Sequence, residues 1–585
     1  MLNMRKTKII CTIGPASEKK EIVRELIKSG MNVARLNFSH GNHEEHRARI
    51  LTIRQVEKEL GATVAIMLDT KGPEIRLGTF AGGKVRLKKG QEFTLTTYQV
   101  EGDENRAFVN FEDLPRVVGD GDRILLADGL IELKVKEVKE KEILCTVMND
   151  GDLSDKKGVN IPGKSIPLPA VTQKDVQDIL FGIEMGVDFI AASFIRKASD
   201  VIEIRKILEN NGGQDIQIIA KIESQEGVQN LDEIIKVADG VMVARGDLGV
   251  EIPVEEVPIV QKMIIEKCNR AGKPVITATQ MLESMIRNPR PTRAETTDVA
   301  NAILDGTDAI MLSGETASGD FPVEAVRMMA RIAEKVEETI SLDITACKRQ
   351  TSIRTVTDAI SHATYTISKD LAASAIITST KSGYTARMVA KFRPPVPIIA
   401  VTPREKVTRT LQVVWGVIPI KINETESTDE MFREAVSGAL NSGIIKKGDL
   451  VVITAGVPLY VSGTTNLIRV QVVGDVILKG TGIGTKSVHG VAYVAKTLKE
   501  AMAMPAGSIL VVNSTDKDYM PAIQRASAIV AEEAGLTSHA AIVGVELGIP
   551  VIVGAEGATE RLVTGEEITV DCQRGLVYRG IVDVK

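Results

Sequence analysis

Charged and hydroxyl-bearing side chains stand at the ends of several short apolar segments of this 585-residue sequence. In chain order these clusters are Arg35-Leu36-Asn37-Phe38-Ser39-His40, Asp69-Thr70-Lys71, Lys221-Ile222-Glu223, Arg245-Gly246-Asp247, Thr279 and Ser313-Gly314-Glu315. Carboxylates, cations and hydroxyls repeated at equivalent positions are the components of metal-assisted phosphoryl-transfer or enolate chemistry. Polar residues are also ordinary at strand ends, so the inference depends on the number of clusters rather than on any one of them.

Glu223 and Asp247 are the pair of carboxylates best suited to a divalent cation. No cysteine or histidine cluster accompanies them, and hard oxygen ligands of this kind favour Mg²⁺ or Mn²⁺. Lys221 lies two residues before Glu223, so both side chains are expected to point into the same space. Beside a cation a lysine does not act readily as a base, but it stabilises a developing enolate or phosphoryl charge. A buried ion-pair network in the core is the alternative that the spacing leaves open.

The elements that must position these side chains follow a strand–helix alternation over the first part of the chain. The predicted strands are Thr7–Ile13, Asn32–Asn37, Val64–Leu68, Phe189–Phe194, Ile216–Ile222, Gly240–Ala244, Pro274–Thr279 and Asp308–Leu312. Eight strands that alternate with helices predict a (β/α)8 TIM barrel, in which the carboxyl ends of the strands carry the active site.

The sequence as a whole predicts an α/β protein of four regions. The barrel occupies residues 1–70 and 168–345, and Val/Leu/Lys alternation of period two at 71–167 predicts a small inserted β-barrel domain made of antiparallel strands. Because this insertion leaves from the carboxyl rim of the barrel, it is expected to act as a lid. A second α/β pattern follows at 346–473, and a further region with strands extends over 474–585.

Composition excludes several classes of protein. The formal net charge is −5 and aromatic residues are 3% of the chain, so neither nucleic acid nor an anionic membrane surface is an expected partner. No apolar run reaches the ~20 residues of a membrane span, and five scattered cysteines favour a reducing, cytoplasmic location. The net acidity is nevertheless expected to hide a local cluster of phosphate-binding cations, namely Arg35, Lys71, Arg76, Lys157 and Lys221.

Six segments closely resemble the pyruvate kinase family and occur in the order that is typical of it. They are Ala34–Gly41, Asp69–Arg76, Ala220–Glu223, Met242–Glu251, Thr277–Leu282 and Met311–Thr316. The resemblance implies transfer of the phosphoryl group of phosphoenolpyruvate to ADP, giving pyruvate and ATP in the last step of glycolysis. It also implies that the inserted region closes over the nucleotide and that 346–473 is an effector-binding domain.

The resemblance also implies a role for each matching residue. Lys221 would contact the transferring phosphoryl group, and Glu223 and Asp247 would hold Mg²⁺ or Mn²⁺. The backbone at Ala244, Arg245 and Gly246, together with Thr279 and Asp247, would bind the substrate, while Thr279 and Ser313 would belong to the proton relay. Arg35 would bind phosphate; the nucleotide side would be formed by Pro15, Asn37, His40, Arg76 and Lys157, and a K⁺ ion would be held by Asn37, Ser39, Asp69 and Thr70.

One residue bears on the monovalent cation. Glu74 is similar to the K⁺-dependent members of the family, whereas the K⁺-independent members resemble a version with lysine at this position. A lysine ammonium can supply locally the positive charge that a glutamate cannot. The resemblance therefore predicts that activity depends on K⁺.

A hydroxyl-rich loop in the third region predicts a site for a phosphorylated effector. Thr378-Ser379-Thr380-Lys381-Ser382-Gly383 follows a predicted strand and precedes a helix, where either an anion site or a plain helix cap would fit. The loop resembles the effector-phosphate loop of the family, which implies activation by a sugar phosphate or a nucleoside monophosphate. The family also implies a homotetramer.

The last region resembles the mobile phosphohistidine domain of phosphoenolpyruvate-utilising enzymes. The resemblance is carried by Gly535–Ala541 and Gly548–Gly554, and it implies that His539 could carry a phosphoryl group; Ala534 departs from the glycine pair of that motif. Because the sequence has no ATP-grasp domain, a structural or regulatory role for this region is the favoured hypothesis. The rival hypotheses are a histidine phosphotransferase or dikinase that works through His539 and a regulator that binds metabolites without turnover.

Overall fold

Eight parallel strands close into a barrel in the first part of the chain, as the sequence predicted. The computed structural model describes residues 5–164, 166–339, 355–457 and 465–582. Within them the barrel strands are Lys8–Thr12, Val33–Asn37, Ala65–Asp69, Phe189–Ala192, Gln217–Ile222, Gly240–Ala244, Val275–Ala278 and Ala309–Leu312. The first strand pairs with the last, in the register Lys8 to Ala309, and this pairing closes the sheet.

The barrel strands are almost continuously buried, because helices cover their outer side and packed side chains fill the inside. The helices of this region are Lys20–Lys28, His43–Leu60, Gln173–Glu184, Ala198–Asn210, Gln225–Gln229, Leu231–Val237, Arg245–Glu251, Val257–Ala271, Arg293–Asp305, Gly314–Ala317 and Pro322–Thr339. Capping boxes fix the start of two of them, through Thr172 with Asp175 and through Thr292 with Glu295.

The inserted region between the third and fourth barrel strands is built from β-strands. They are Lys84–Leu87, Glu92–Thr96, Arg106–Phe108, Arg123–Leu126, Ile131–Val138, Glu142–Val147, Gly151–Ser154 and Val159–Asn160, with one short helix, Leu114–Val117. Six strands form one sheet, and Lys84–Leu87 pairs with Gly151–Ser154 in a second sheet. The prediction of antiparallel strands fails for one pair, since Glu92–Thr96 and Arg106–Phe108 run parallel.

The described chain forms two compact units. The first contains Met1–Tyr365, Thr378–Glu424 and Ala455–Asn466, and the second contains Thr366–Ile377, Thr425–Thr454 and Leu467–Lys585. The boundaries proposed from the sequence at 70/71, 167/168 and 473/474 stay predictions, and the proposed boundary at 345/346 lies outside the described residues.

The third region of the sequence has the predicted α/β content. Its strands are Ala375–Ser379, Ile398–Thr402, Val417–Lys421, Leu450–Gly456 and Thr465–Val472, and its helices are Val356–Asp370, Tyr384–Ala390, Glu405–Thr410 and Thr428–Asn441. Ile398–Thr402 and Val417–Lys421 lie in the first unit and pair in parallel.

The C-terminal region contains an eight-stranded mixed sheet. Its strands are Val476–Lys479, Thr481–Ile483, Ser487–Val494, Ile509–Val512, Ala528–Ala531, Val551–Val553, Glu567–Asp571 and Leu576–Arg579, and its helices are Leu498–Met502, Met520–Ile523, His539–Leu547 and Ala558–Arg561. Two apolar clusters of buried side chains form its core. No helix among the described residues is long and apolar enough to span a membrane.

Candidate active site

A network of charged side chains joins the carboxyl ends of the second, third and fifth barrel strands. Asp69 accepts a hydrogen bond from Arg35 Nε at 2.6 Å and another from Lys221 Nζ at 3.1 Å. Lys221 Nζ also lies 2.9 Å from Glu223 Oε1. All four side chains are at least nine-tenths buried. The ion-pair network that the sequence left open therefore exists, and its members are the same residues that were predicted to do chemistry.

Ser193 connects this network to the backbone, and sequence reasoning did not single it out. Its hydroxyl accepts a hydrogen bond from Lys221 Nζ at 2.7 Å and donates one to the carbonyl oxygen of Thr70 at 2.7 Å. The next residue, Phe194, donates its backbone N–H to Glu223 at 2.6 Å. The available signal was positional, because Ser193 directly follows the fourth barrel strand, just as the clusters that were noticed follow theirs.

Charge and burial set the protonation of these groups. Burial alone would lower the pKa of Lys221, but the carboxylates of Asp69 and Glu223 raise it above its ordinary value. Burial would raise the pKa of Asp69, but Arg35 and Lys221 hold it below the usual range. For Glu223 the effect of burial is the largest, and the charge of Asp247 adds to it. The pKa of Glu223 therefore rises to about 7, although Lys221 opposes the shift. The lysine is thus an ammonium, whereas burial disfavours the charged form of Glu223.

Glu223 and Asp247 line one cavity of about 370 Å³ between the barrel strand ends and the inserted region. Asp247 is exposed to that space and belongs to the short helix Arg245–Glu251. Within the described residues no group of three or more acidic, histidine or cysteine side chains forms a metal cage. Two carboxylates that face one cavity still fit a divalent cation that completes its shell with water and substrate oxygens.

Thr279 and Gly246 meet on the other side of the site. Gly246 donates its backbone N–H to Thr279 Oγ1 at 2.8 Å, and Thr279 Oγ1 donates to the carbonyl oxygen of Ala278 at 2.6 Å. Thr279 has a φ of +67°, a left-handed conformation that is uncommon outside glycine. The structure therefore brings together two groups that the sequence separates by 33 residues.

Ser313 follows the eighth barrel strand, and the hydrogen bonds around it come from its neighbours. Its backbone N–H donates to Glu315 at 2.7 Å, and the other oxygen of Glu315 accepts from the backbone N–H of Leu282 at 3.0 Å. Burial raises the pKa of Glu315. The hydroxyl of Ser313 is buried and has no hydrogen-bond partner within the described residues. A buried hydroxyl in that state is available to a ligand.

The remaining predicted residues lie around the mouth of the site. Asn37 Oδ1 accepts the backbone N–H of Ser39 at 3.1 Å, and Pro15, Ser39 and His40 are exposed. Arg76 pairs with Glu74 at 2.6 Å and donates to the carbonyl oxygen of Lys156 at 2.7 Å, so it is not part of the Asp69 network. The side chains of His40 and Lys157 make no hydrogen bond or ion pair within the part of the chain that is described. Lys71 is half-buried.

These features define a (β/α)8-barrel enzyme whose site combines a buried lysine held by carboxylates, a pair of carboxylates that line one cavity, and the contact between Gly246 and Thr279. Residues 4–326 match the family description "Pyruvate kinase, barrel domain", residues 358–471 match "Pyruvate kinase, alpha/beta domain", and residues 504–575 match "PEP-utilising enzyme, mobile domain". The chain belongs to the pyruvate kinase family.

Similar proteins cover the whole chain, including its C-terminal region. Pyruvate kinases of Geobacillus stearothermophilus and Sporosarcina psychrophila are 57% and 55% identical to it, over 99% of this chain and 100% of each relative. A solved pyruvate kinase from Cryptosporidium parvum is 43% identical, with a TM-score of 0.77, and covers 80% of this chain and 96% of its own. Family membership makes the protein a kinase that uses phosphoenolpyruvate and ADP and needs a divalent metal ion.

Proposed function

We propose that the residues predicted from the sequence carry out this reaction at the carboxyl face of the barrel. The bond between phosphorus and the enol oxygen of phosphoenolpyruvate breaks, and a bond forms from that phosphorus to a terminal oxygen of ADP. The enolate that remains takes a proton at its methylene carbon and becomes pyruvate. The observation that supports this best is the ammonium of Lys221, which pairs with Asp69 and Glu223 next to a cavity lined by Glu223 and Asp247.

Lys221 stabilises the charge of the transferring phosphoryl group. Its raised pKa keeps it protonated, which suits electrostatic stabilisation and excludes the role of a general base. Arg35 donates a hydrogen bond from Nε to Asp69 and another from Nη1 to Thr12 Oγ1. Its Nη2 makes no hydrogen bond within the described residues, so it can donate to a phosphate oxygen.

Glu223 and Asp247 hold the divalent ion, Mg²⁺ or Mn²⁺. When bound, that ion supplies Lewis-acid polarisation of the substrate's carboxylate and enol oxygens. Asn37, Ser39, Asp69 and Thr70 offer hard oxygen donors of the kind that K⁺ accepts. The hydrogen bond from Ser193 to the carbonyl of Thr70 orients one of these donors, and the same hydroxyl accepts from Lys221.

The substrate carboxylate lies against the backbone at Ala244, Arg245 and Gly246, beside Thr279. Without substrate the Gly246 N–H donates to Thr279 Oγ1 and the Thr279 hydroxyl donates to the carbonyl of Ala278, so a carboxylate that accepts from both groups would replace these two bonds. Thr279 and Ser313 form the relay that delivers the proton, and the buried, unpartnered hydroxyl of Ser313 supports its part in it. The nucleotide lies toward Pro15, Asn37, His40, Arg76 and Lys157.

The test is ADP-dependent release of pyruvate from phosphoenolpyruvate by wild type and by Lys221→Met. Removing the ammonium from a water-poor site is expected to lower kcat by at least about 10³-fold. Lys236→Met is the matched control, since Lys236 is an exposed lysine whose side chain pairs only with Glu233 on the same helix. Pyruvate formation that requires AMP and pyrophosphate would support a dikinase instead, and ligand binding without turnover would support a regulator.

The loop Thr378–Gly383 is the proposed site of a phosphorylated activator, a sugar phosphate or a nucleoside monophosphate. It joins the strand Ala375–Ser379 to the helix Tyr384–Ala390, and Gly383 turns the chain with a φ of +76°. The hydroxyl of Thr378 is buried and has no hydrogen-bond partner among the described residues, which supports a ligand there. Thr378→Val should abolish activation across a panel of such effectors while leaving the unactivated rate within about twofold.

The assembly is proposed to be a homotetramer. Light scattering of the purified protein should then give four times the chain mass of 63.1 kDa. A monomer or dimer that retains full activation by an effector would contradict this proposal.

A structural or regulatory role is proposed for the C-terminal region. One observation favours the alternative, phosphotransfer through His539: Thr515 Oγ1 lies 3.0 Å from His539 Nδ1, which leaves the Nε2 of this half-exposed ring for chemistry. Incubation with ³²P-labelled phosphoenolpyruvate decides between the two. Acid-labile, base-stable label that is lost in His539→Ala would overturn the structural role.

A further inference from the structure

The turn after the seventh barrel strand has an unusual backbone. Thr279 and Gln280 are consecutive residues with positive φ, at +67° and +53°, and neither is a glycine. Left-handed backbone is unfavourable for residues with a Cβ, so it persists only where the surroundings impose it. Something outside the turn must therefore hold it.

The guanidinium of Arg245 makes the contacts that hold this turn. Its Nη2 donates to the carbonyl oxygen of Thr279 at 2.7 Å and lies 3.3 Å from that of Gln280, while its Nε donates to the carbonyl of Ala278 at 3.3 Å. Three successive carbonyls are thus bound by one planar group with fixed donor directions. An ammonium on a flexible stem lacks that geometry.

The guanidinium is itself fixed in place. Its Nη1 donates to Asp298 at 2.8 Å, from the helix Arg293–Asp305, and the Arg245 side chain is only 10% exposed. A hydrogen-bonded partner of opposite charge makes burial of the cation tolerable. The side chain of Arg245 is therefore held between the helix Arg293–Asp305 and the turn at Thr279 and Gln280.

This arrangement ties two parts of the carboxylate site together. Arg245 directly precedes Gly246, whose N–H donates to the hydroxyl of Thr279. Arg245 therefore acts on Thr279 in two ways. Its side chain binds the carbonyl oxygen of Thr279, and its peptide bond to Gly246 contains the N–H that donates to the Thr279 hydroxyl. Without the guanidinium, the turn would lose the donors to its three carbonyl oxygens, and these would no longer fix the position of the Thr279 hydroxyl relative to the Gly246 N–H.

We propose that the side chain of Arg245 is a positioning residue, which holds Thr279 where it can bind the substrate carboxylate and serve the proton relay. The inference rests on the proposed role of Thr279. It gives Arg245 a function separate from that of its backbone, because the side chain faces the turn rather than the substrate.

The experiment compares Arg245→Lys with wild type, using Arg287→Lys as the control; Arg287 is 75% exposed and pairs with Asp320. Three quantities are measured: KM for phosphoenolpyruvate and for ADP separately, the affinity for oxalate with Mg²⁺, and exchange of the methyl hydrogens of pyruvate for deuterium by NMR. Arg245→Lys should raise KM for phosphoenolpyruvate and weaken oxalate at least tenfold, slow the exchange, and leave KM for ADP within twofold. The control should change none of them.

Four results distinguish the ways this inference can fail. A lower melting temperature with unchanged oxalate affinity and exchange would make Arg245 merely structural and would overturn the proposal. So would an equal rise in both KM values. Thr279→Ala is measured together with Arg245→Lys. If Thr279→Ala loses exchange and Arg245→Lys does not, only the positioning role of Arg245 is wrong. If Thr279→Ala loses nothing, the proposed role of Thr279 is wrong, and the inference falls with it.

Discussion

Lys221 illustrates how the charge of a single buried residue is set by the groups around it. Desolvation disfavours an ammonium, yet Asp69 and Glu223 lie within about 3 Å of its nitrogen and reverse the direction of the pKa shift. The lysine is thereby kept as a fixed positive charge, as its proposed role in phosphoryl transfer requires. Glu223 shares that lysine with Asp69, and burial raises its pKa, so a cation bound beside it would favour its charged form.

Glu74 leads to a prediction about the monovalent cation. Its carboxylate pairs with Arg76 at 2.6 Å and so neutralises a cation on the nucleotide side. Glu74→Lys removes that carboxylate, adds an ammonium and releases Arg76. Wild type should lose most of its activity in K⁺-free buffer, whereas the variant should retain activity within about threefold with or without K⁺. Rates are measured in tetramethylammonium and in potassium salts of equal ionic strength, and a fully active wild type without K⁺ would contradict the prediction.

Lys8 leads to a prediction about stability and pH. Its Nζ donates to the carbonyl of Val417 at 2.6 Å, and burial, reinforced by Arg5, lowers its pKa from 10.5 to about 7. Between about pH 7 and pH 10.5, Lys8 is protonated in the unfolded chain but mostly neutral in the folded chain. Its contribution to the free energy of unfolding therefore rises with pH. The gain between pH 6 and pH 9 is on the order of 2–3 kcal/mol.

Lys8→Met is the variant that checks this sign. It removes the buried charge and should therefore stabilise the protein relative to wild type at pH 6, with the advantage shrinking steadily toward pH 10. Thermal melts across this range give the difference. Lys335→Met, at an exposed lysine on the helix Pro322–Thr339, should show no such trend. A difference for Lys8→Met that is constant with pH would refute the assignment.

At the scale of elements, the inserted region contacts the barrel through a hydrogen bond near the cavity. Asn160, in the strand Val159–Asn160, donates Nδ2 to Glu251 Oε1 at 2.8 Å, at the end of the helix Arg245–Glu251. Burial raises the pKa of Glu251, and the bond from Asn160 opposes that shift. The contact therefore links the strands of the inserted region to the barrel beside the cavity.

Asn160→Ala should loosen the inserted region. A hydrogen bond to a carboxylate is worth about 1.5–3 kcal/mol, so its loss should favour separation of the lid by about tenfold or more. Amide hydrogen exchange in residues 151–160 should become faster, and KM for ADP should rise. Asn105→Ala, at an exposed position of the same region, is the control. Unchanged exchange in the variant would show that the bond contributes nothing to closure.

At the scale of the whole molecule, the proposed catalytic site is built from the first unit. The contacts that define it join residues between Thr12 and Glu315. The solved relative from Cryptosporidium parvum covers 80% of this chain with 96% of its own, so the family fold exists without a counterpart of the remaining fifth. The C-terminal sheet also has its own apolar clusters.

Truncation after Val473 should therefore leave the chemistry intact. The shortened protein is expected to keep kcat and both KM values within about threefold, because no group of the proposed site is removed. Steady-state kinetics, with light scattering to check assembly, gives the answer. His539→Ala in the full-length chain is the companion variant and should behave in the same way. Loss of turnover in a truncated protein that is still folded would assign the C-terminal region a direct role in catalysis.

Sequence reasoning found the order and type of the barrel elements. Each predicted strand lies within two residues of the observed one, because a strand buried on both faces must be a short apolar run and its flanking helices must be amphipathic. It also singled out the residues of the proposed site, since polar groups that follow such runs lie at the carboxyl face of the barrel; the roles of these residues stay predictions.

What only the tertiary structure decided is which of these groups touch. Ser193 carries no motif, and its link between Lys221 and Thr70 depends on barrel closure. The clamp of Arg245 on the turn at Thr279 is equally invisible in the sequence, since a left-handed threonine follows from through-space contacts and not from local preference. Lys221 and Asp69 are 152 residues apart. The sequence determined the types of group and the strands that carry them, whereas the closed sheet determined their distances and hence their charges.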